Sequence, residues 1–373
     1  MSIRMVLSIV TVLLIIGGCN LYLAKRFYQF FSRFLPNISF SVMIGIFLLP
    51  FMVLTLGFAR SLLPLPAMVK HALGIANAYW MGIFFYLLLF FALSDVIFLL
   101  VRLFLPVDRF LFPFAALTMT FAVSCYGFIH ASQIKIKNYD ITIPGAENMT
   151  VVLISDVHLG AVGSEKRLPK IVEKINSLEP DLVCIAGDFF DSDYEAICDP
   201  ESAEASIRDI SAAYGVWACL GNHDAGHTVS DMRSFLDRCG IGVLNDEYVT
   251  IENKLVLAGR PDSFPIGGFG GISRQKLSLD GADPSLPVVV MDHNPANIHE
   301  YSLARGLILC GHTHRGQIFP CGLITDRIYT ADYGYYRLDE SSPQVIVSSG
   351  VGTWGMPMRV GTDSEIVKIT LHS

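Results

Sequence analysis

An aspartate and a histidine, two side chains that bind metal ions well, follow a short apolar run. The run Val151–Ile154 is rich in β-branched residues, which is typical of a buried parallel strand. Asp156 and His158 come next, two residues apart. Because residues two apart in an extended chain point the same way, both side chains are expected to face one point. Open α/β sheets place their active sites at such carboxyl ends of strands.

The same arrangement recurs four times downstream. Apolar runs end at Ala186, Leu220, Met291 and Cys310, and each is followed closely by Asp, Asn or His, often after a glycine that permits close backbone approach. A lone histidine at a strand end is usually an ordinary core residue, but a set of this kind indicates one common site. The predicted metal ligands are Asp156, His158, Asp188, Asn222, His293, His312 and His314.

These ligands are imidazoles, carboxylates and one amide, without a thiolate. They suit Mn, Fe or Zn and argue against a cysteine-rich structural zinc site. Seven groups are too many for one ion, so two divalent ions that share a carboxylate are expected. Two ions about 3.5–4 Å apart can clamp a phosphoryl group and lower the pKa of bound water from about 15.7 toward 7. The set therefore predicts phosphate-ester hydrolysis.

The motifs, in this order, resemble the calcineurin-like metallophosphoesterase superfamily over about residues 148–373. The resemblance rests on Asp156-Val157-His158, Gly187-Asp188, Gly221-Asn222-His223-Asp224, His293 and Gly311-His312-Thr313-His314. Two further stretches, Gly311–Gln317 and Gly350–Gly355 with Met358-Arg359, look like one branch of that superfamily. The branch includes membrane-linked phosphodiesterases, transmembrane proteins with a metallophosphoesterase domain, and proteins similar to UDP-2,3-diacylglucosamine pyrophosphatase.

The resemblance implies how the two ions are held. One ion would take Asp156, His158, Asp188 and His314, and the other would take Asp188, Asn222, His293 and His312. Asp188 would then bridge the ions, and a hydroxide held between them would attack the phosphorus.

The resemblance also implies roles for residues that do not bind metal. His223 would protonate the leaving oxygen, and Asp224 would orient its ring and raise its pKa. Arg315 stands where many relatives have glycine, and it is either a cation that reaches the phosphate or a surface residue. Arg359 could steady a phosphate or be a buried structural arginine. Asp191 supports a metal ligand or caps a loop.

Helical spacing of apolar residues predicts helices between the strands. The segments are Glu165–Leu178, Ala203–Tyr214 and Ser230–Cys239. Strands alternating with helices indicate a layered α/β unit, and the resemblance implies a layered β-sandwich flanked by helices. Cys198, Cys239 and Cys321 lie in predicted loops, where a disulfide is possible but not indicated.

The first third of the chain is a different kind of sequence. Four apolar segments, each near the roughly 20 residues needed to cross a bilayer, are Met5–Leu23, Ile38–Phe58, Ala78–Leu100 and Phe110–Phe128. We predict a membrane domain with four transmembrane helices over residues 1–130, followed by a catalytic domain over residues 131–373. Basic residues are balanced between the two sets of loops, so the side of the membrane stays open.

Composition agrees with a multi-pass integral protein of the cell membrane. Hydrophobic residues make up 52% of the 373 residues and charged residues only 16%. The net charge of −7 argues against a nucleic-acid partner. The expected partners are the lipid bilayer and a phosphate-ester substrate, with a lipid-linked or nucleotide substrate as one possibility.

The sequence leaves two readings of function open. The first is a membrane-anchored two-metal hydrolase that cleaves a phosphodiester or pyrophosphate bond. The second is a membrane transporter or sensor whose metal-binding domain is regulatory. Asp95, an acidic residue inside the third apolar segment, is a functional candidate or a residue near a helix end. Phe264–Ile272 and Tyr329–Tyr336 would form a lid, an apolar rim or ordinary loops.

Overall fold

The chain forms two compact units. The computed structural model describes residues 3–60, 63–162, 164–302 and 306–373, with side chains described from residue 7 onward. One unit consists of Met1–Phe128 with Gly355–Pro357, and the other consists of Ile129–Trp354 with Met358–Ser373.

The first unit is built from four long helices. They are α1 (Ile3–Phe31), α2 (Phe40–Phe58), α3 (Ala67–Val101) and α4 (Leu111–Ala131). All four are long and apolar enough to cross a membrane. At a rise of 1.5 Å per residue, even α2, the shortest, spans about 28 Å, close to the thickness of a bilayer core. The helices coincide with the four predicted apolar segments, although α1 and α3 extend well beyond them.

An ion pair connects the two longest of these helices. Asp95 lies in α3, and its Oδ2 atom is 2.5 Å from the Nη2 atom of Arg26 in α1. The same oxygen accepts a 2.6 Å hydrogen bond from the hydroxyl of Tyr22. The pair gives Asp95 a structural explanation. It also shows how α1 accommodates a charged residue beyond Leu23, where the predicted segment ended.

The second unit contains two six-stranded sheets. The strands of the first sheet, in spatial order, are β1 (Ile134–Thr142), β12 (Ser364–His372), β2 (Met149–Ile154), β3 (Leu182–Ala186), β4 (Val216–Cys219) and β5 (Gly242–Val243). Those of the second are β10 (Gly334–Tyr336), β11 (Gln344–Val347), β9 (Gly306–Cys310), β8 (Val288–Asp292), β7 (Leu255–Arg260) and β6 (Glu247–Ile251). Strands β2 to β5 are parallel, and so are β7, β8, β9 and β11.

The sheets pack face to face, which confirms the predicted layered sandwich. Alternate residues of each strand point to opposite faces. In β2, Val151 and Leu153 enter the core between the sheets, where they join Leu257 and Leu309 of the second sheet. Val152 and Ile154 point to the other face, where the helices pack. The apolar runs are therefore buried on both sides, as expected for central parallel strands.

Helices cover the outer face of the first sheet. They are α5 (Leu168–Asn176), α6 (Pro200–Arg208) and α7 (Val229–Arg238), and a short α8 (Gly322–Ile328) follows β9. The helix predicted over Ala203–Tyr214 instead ends at Arg208, and it begins earlier because the side chain of Asp199 caps it by accepting the N–H of Ser202. All eight cysteines are free thiols, so no disulfide ties the predicted loops.

Candidate active site

All seven predicted metal ligands lie at the carboxyl ends of strands, and they come from both sheets. Those that follow β2, β3 and β4 belong to the first sheet, and those that follow β8 and β9 belong to the second. Among these seven residues, two groups of three have ligand atoms that all lie within 4.8 Å of one another, and a third such group combines His158 with Asp191 and His223. The first trio is Asp156, His158 and His314, and the second trio is Asp188, His293 and His312.

Asp188 lies between the two trios. Its Oδ2 atom is 3.0 Å from Nε2 of His293 and 3.9 Å from Nε2 of His158, which belongs to the first trio. Asn222, the seventh ligand, places Oδ1 2.8 Å from Nδ1 of His312. The structure thus brings all seven side chains together, with Asp188 within 4 Å of a histidine of each trio.

The way in which Asp156 and His158 converge differs from the prediction. They are not extended, because their φ angles are 54° and 49°, in the left-handed region. The same region is occupied by Asp188, His312 and His314. Aspartate and histidine tolerate it better than most residues, but each still costs on the order of 1 kcal/mol. Such strain, gathered at one place, is typical of functional sites.

Two glycines allow the strand-end loops to approach one another. A Cβ atom on Gly221 would lie 2.2 Å from Oδ1 of Asp188, and one on Gly311 would lie 2.3 Å from Oδ2 of Asp156. Real Cβ atoms do not approach this closely, so only glycine fits at these positions. Neither Gly221 nor Gly311 has a positive φ angle, so backbone conformation does not require glycine at these two positions. The requirement here is space next to a ligand carboxylate.

Burial and close charges shift the pKa values of the ligands in opposite directions. Burial alone would raise the pKa of Asp188, but the imidazoles of His293, His158 and His223 hold it well below its usual range. Burial would lower the pKa of His293, yet the carboxylates of Asp188 and Asp156 raise it well above its ordinary value. Burial and the His293 charge lower the pKa of His312 to about 3. The site therefore combines an anionic carboxylate at Asp188 with a neutral imidazole at His312, donor groups that suit cations.

Hydrogen bonds outside the site aim the imidazoles. Nδ1 of His293 donates a 2.7 Å hydrogen bond to the carbonyl of Ala186, which leaves Nε2 to face Asp188. The Nε2 atoms of His158 and His314 face each other at 3.0 Å. Two imidazole nitrogens at this distance compete for one proton, whereas a cation between them would use both lone pairs. The residues present therefore fit divalent metal ions.

His223, the predicted general acid, lies beside the first trio. Its ring centroid is 5.1 Å from that of His158. Nδ1 of His223 is 2.5 Å from Oγ of Ser192 and 3.9 Å from Oδ1 of Asp191. The N–H of Ser192 also donates to the carbonyl of His223 at 3.2 Å. Ser192 thus holds both the ring and the backbone of His223.

The contacts of Asp224 differ from those expected of a residue that orients His223. Its two carboxylate oxygens accept backbone N–H groups, one from Phe190 and one from Gly221, each at 2.8 Å. Asp224 therefore ties the loop after β3 to the loop after β4. The pKa of His223 is also lowered, chiefly by burial, where a neighbouring Asp224 was expected to raise it.

One of the two predicted phosphate-binding arginines lies against a predicted metal ligand: Nη2 of Arg359 is 3.4 Å from Nδ1 of His314, and its Nη1 donates to the carbonyl of His314 at 3.3 Å. Arg359 is fully buried, and its Nη2 atom donates to the carbonyls of Ser349 and Gly352, each at 2.7 Å. This geometry matches the structural alternative. Arg315 is exposed, and its guanidinium stacks on the ring of Tyr333, 4.4 Å from the centroid.

Sequence reasoning did not identify Ser192, and it left Asp191 without a definite role. Asp191 lies with Oδ1 3.7 Å from Nδ1 of His158 and 3.9 Å from that of His223, so it stands between a ligand and the predicted acid. In the sequence, the position of Asp191 three residues after Asp188 was the signal that it lies near the site. Ser192 gave none, because its contact depends on a φ angle of 61° that the sequence does not reveal.

The glycine-rich loop Phe264–Ile272 and the tyrosine-rich loop Tyr329–Tyr336 border the site. The N–H of Ile266 donates to the carbonyl of Asn222 at 2.9 Å, and Ile266 itself is exposed. In the other loop, the ring of Tyr329 lies 6.0 Å from that of His312. Both loops therefore contribute apolar groups to the rim around the ligands.

Comparison with known proteins agrees with this geometry. A family model described as "Calcineurin-like phosphoesterase" matches residues 149–316. An uncharacterized metallophosphoesterase of Helicobacter pylori (strain ATCC 700392 / 26695) is 30% identical over 240 residues, 64% of this chain and 64% of that protein. A transmembrane protein with metallophosphoesterase domain from Danio rerio is 30% identical over 280 residues, 69% of this chain and 62% of that protein.

A third relative carries a more specific name. The UDP-2,3-diacylglucosamine pyrophosphatase LpxG of Chlamydia trachomatis is 26% identical over 265 residues, 55% of this chain and 78% of that protein. This chain spans less than two thirds of the Helicobacter and Danio relatives. The matched segment begins at β2 and ends just after the last predicted ligand, His314. The part of the chain that is similar to calcineurin-like phosphoesterases therefore spans residues 149–316 and includes all seven predicted ligands.

Proposed function

We propose that the protein is a membrane-anchored, metal-dependent phosphoesterase that hydrolyses a phosphodiester or pyrophosphate bond. In this proposal residues 1–130 form the anchor and residues 131–373 carry out the chemistry. The observation that carries it is the convergence of two ligand trios on one shared carboxylate, Asp188, which lies 3.0 Å from His293 and 3.9 Å from His158.

The seven ligands divide into two sites. Asp188 with the first trio would hold one ion, and the second trio with Asn222 would hold the other. When bound, divalent ions such as Mn, Fe or Zn lower the pKa of water and neutralise charge on the phosphoryl oxygens. The trios supply imidazole and carboxylate donors for such ions, and their hydrogen bonds to the protein fix the orientation of each ring.

His223 is the group we assign to the leaving oxygen. During hydrolysis a water oxygen forms a new bond to phosphorus, the bond from phosphorus to the leaving oxygen breaks, and that oxygen takes a proton from His223. Ser192 holds Nδ1 of the ring, which leaves Nε2 to give the proton. The unperturbed pKa of an imidazole lies near neutrality, and burial lowers the pKa of His223, which makes its protonated ring a stronger acid toward the leaving oxygen.

A lipid-linked or nucleotide pyrophosphate is the substrate class we favour. The chlamydial relative is named as a pyrophosphatase of a UDP-linked, diacylated sugar. Four helices able to cross a bilayer support a membrane-proximal substrate, since confinement at a membrane raises the effective concentration of both partners.

The test uses full-length protein purified in detergent. Chelation should abolish hydrolysis of bis(p-nitrophenyl) phosphate, and Mn, Fe or Zn should restore it. Asp188→Asn should stay inactive after metal addition, whereas Asp280→Asn, at an exposed acidic residue, should behave like the unchanged protein. A folded, metal-loaded protein that cleaves neither diesters nor pyrophosphates would support the transporter or sensor alternative.

A further inference from the structure

A half-exposed tryptophan lies beside the residue assigned to the leaving oxygen. Trp354 exposes 52% of its surface, although tryptophan is on average a highly buried residue. Its ring centroid is 5.8 Å from that of His223, with 56° between the ring planes. A group that leaves next to His223 would therefore lie close to a partly exposed indole ring.

The loop that carries this tryptophan is held by a buried amide side chain. Oε1 of Gln317 accepts the N–H of Trp354 at 2.7 Å, and its Nε2 donates to the carbonyl of Trp354 at 3.0 Å. Gln317 is only 7% exposed and has a φ angle of 57°. It follows His314 by three residues, so a ligand and the tryptophan are positioned by the same short segment. The indole is thus presented on a fixed backbone.

We propose that Trp354 is a specificity residue whose ring stacks on the base of a nucleoside in the leaving group, and that Gln317 positions it. The inference rests on the proposed function, because it uses His223 to locate the leaving group. A nucleobase is planar and offers a π face. Stacking of one base on an aromatic ring strengthens binding considerably, and every base can form such a stack. A methyl leaving group has no such face.

The chemistry of the surroundings favours a nucleoside over an acyl chain. An acyl chain is bound best by a concave apolar surface. Trp354 instead presents one ring next to the imidazole of His223, and the Nδ1 atom of that imidazole contacts the hydroxyl of Ser192. A base carried on a polar sugar matches this mixture of one aromatic face and polar neighbours.

The experiment compares two pyrophosphates whose leaving phosphates have similar acidity. Full-length, metal-loaded protein is assayed with diuridine pyrophosphate and with dimethyl pyrophosphate. Trp354→Ala should lower kcat/KM for the diuridine compound by about 5- to 150-fold, the range expected for one lost stack. It should change kcat/KM for the dimethyl compound by less than about twofold. Trp354→Phe should keep most of the preference.

Matched variants separate positioning from general damage. Gln317→Ala should reduce the same preference with little effect on the dimethyl compound. Leu338→Ala removes an apolar side chain that is 66% exposed and lies outside both rim loops, and it should change the kcat/KM of neither substrate. Equal losses on both compounds in Trp354→Ala would overturn the inference. So would a loss seen only in lipid vesicles, which would make Trp354 a bilayer contact.

Failure of the proposed function has a separate signature. If the unchanged protein cleaves neither pyrophosphate nor bis(p-nitrophenyl) phosphate, the phosphoesterase proposal fails. If it cleaves the chromogenic diester but treats the two pyrophosphates alike, only the role of Trp354 fails.

Discussion

The Nε2 atom of His293 lies 3.0 Å from the Oδ2 atom of Asp188, and both residues are buried. One residue follows a strand of the second sheet and the other follows a strand of the first, so this contact joins the two sheets at the candidate site. The other oxygen of Asp188 accepts the N–H of His223 at 2.7 Å. A single carboxylate therefore connects both trios with the predicted acid.

Replacing the shared carboxylate should remove metal binding before it removes the fold. In Asp188→Asn the amide oxygen can still accept the N–H of His223, but the negative charge that two ions would share is lost. We expect metal affinity to fall at least about 100-fold, beyond the 10- to 100-fold typical of residues that only support a ligand. Metal content after dialysis measures this. Normal metal content in Asp188→Asn would rule out a bridging role.

Removing the hydroxyl that holds His223 should slow the release of poor leaving groups. A neutral hydrogen bond contributes about 0.5–1.5 kcal/mol, so Ser192→Gly should lower kcat on alkyl diesters by about 2- to 13-fold. Glycine is chosen because it accepts the φ angle of 61° at this position. His223→Ala should lower the same kcat by about 10²- to 10⁴-fold.

Both variants should matter less for p-nitrophenyl esters, whose leaving oxygen scarcely needs a proton. Metal content should be unchanged in each. If good and poor leaving groups lose rate equally, Ser192 and His223 do not act in proton transfer.

Loss of the Asp224 carboxylate should lower stability and leave the leaving-group dependence unchanged. Asp224→Ala leaves the buried N–H groups of Phe190 and Gly221 without their acceptor, and each such donor costs about 1–3 kcal/mol. The thermal unfolding temperature should fall, and Asp224→Asn, which keeps one oxygen, should fall less. A selective loss on poor leaving groups at normal stability would instead restore the orienting role predicted from the sequence.

Arg359 should behave as a framework residue. Arg359→Lys keeps the charge, but an ammonium group cannot span the carbonyls that the guanidinium reaches at Ser349 and Gly352. We expect a lower unfolding temperature and an unchanged KM in whatever activity remains. Arg315→Ala is the matched variant, since its exposed stack on Tyr333 should contribute only about 0.5–1 kcal/mol. A raised KM in Arg359→Lys at normal stability would indicate phosphate binding.

Much of the fold followed from local patterns. The four apolar segments near the N-terminus and the five apolar runs of the second unit all became helices and strands, because length and hydrophobicity act locally. The ends were less predictable. Helix α1 continues past Leu23 and includes Arg26. The charge of Arg26 is tolerated in an apolar helix because it forms an ion pair with Asp95, 69 residues away in the sequence.

By itself, the sequence determined which residue types stand at the strand ends, and so the kind of chemistry: imidazoles and carboxylates at five loops of one α/β domain. Only the tertiary structure decided how they converge. Asp156 and His158 meet through left-handed backbone and not through an extended strand, and Ser192, not Asp224, engages His223. The physical reason is that spacing fixes neighbours along a strand, whereas the sign of φ in a loop and the choice of a hydrogen-bond partner depend on contacts from distant segments.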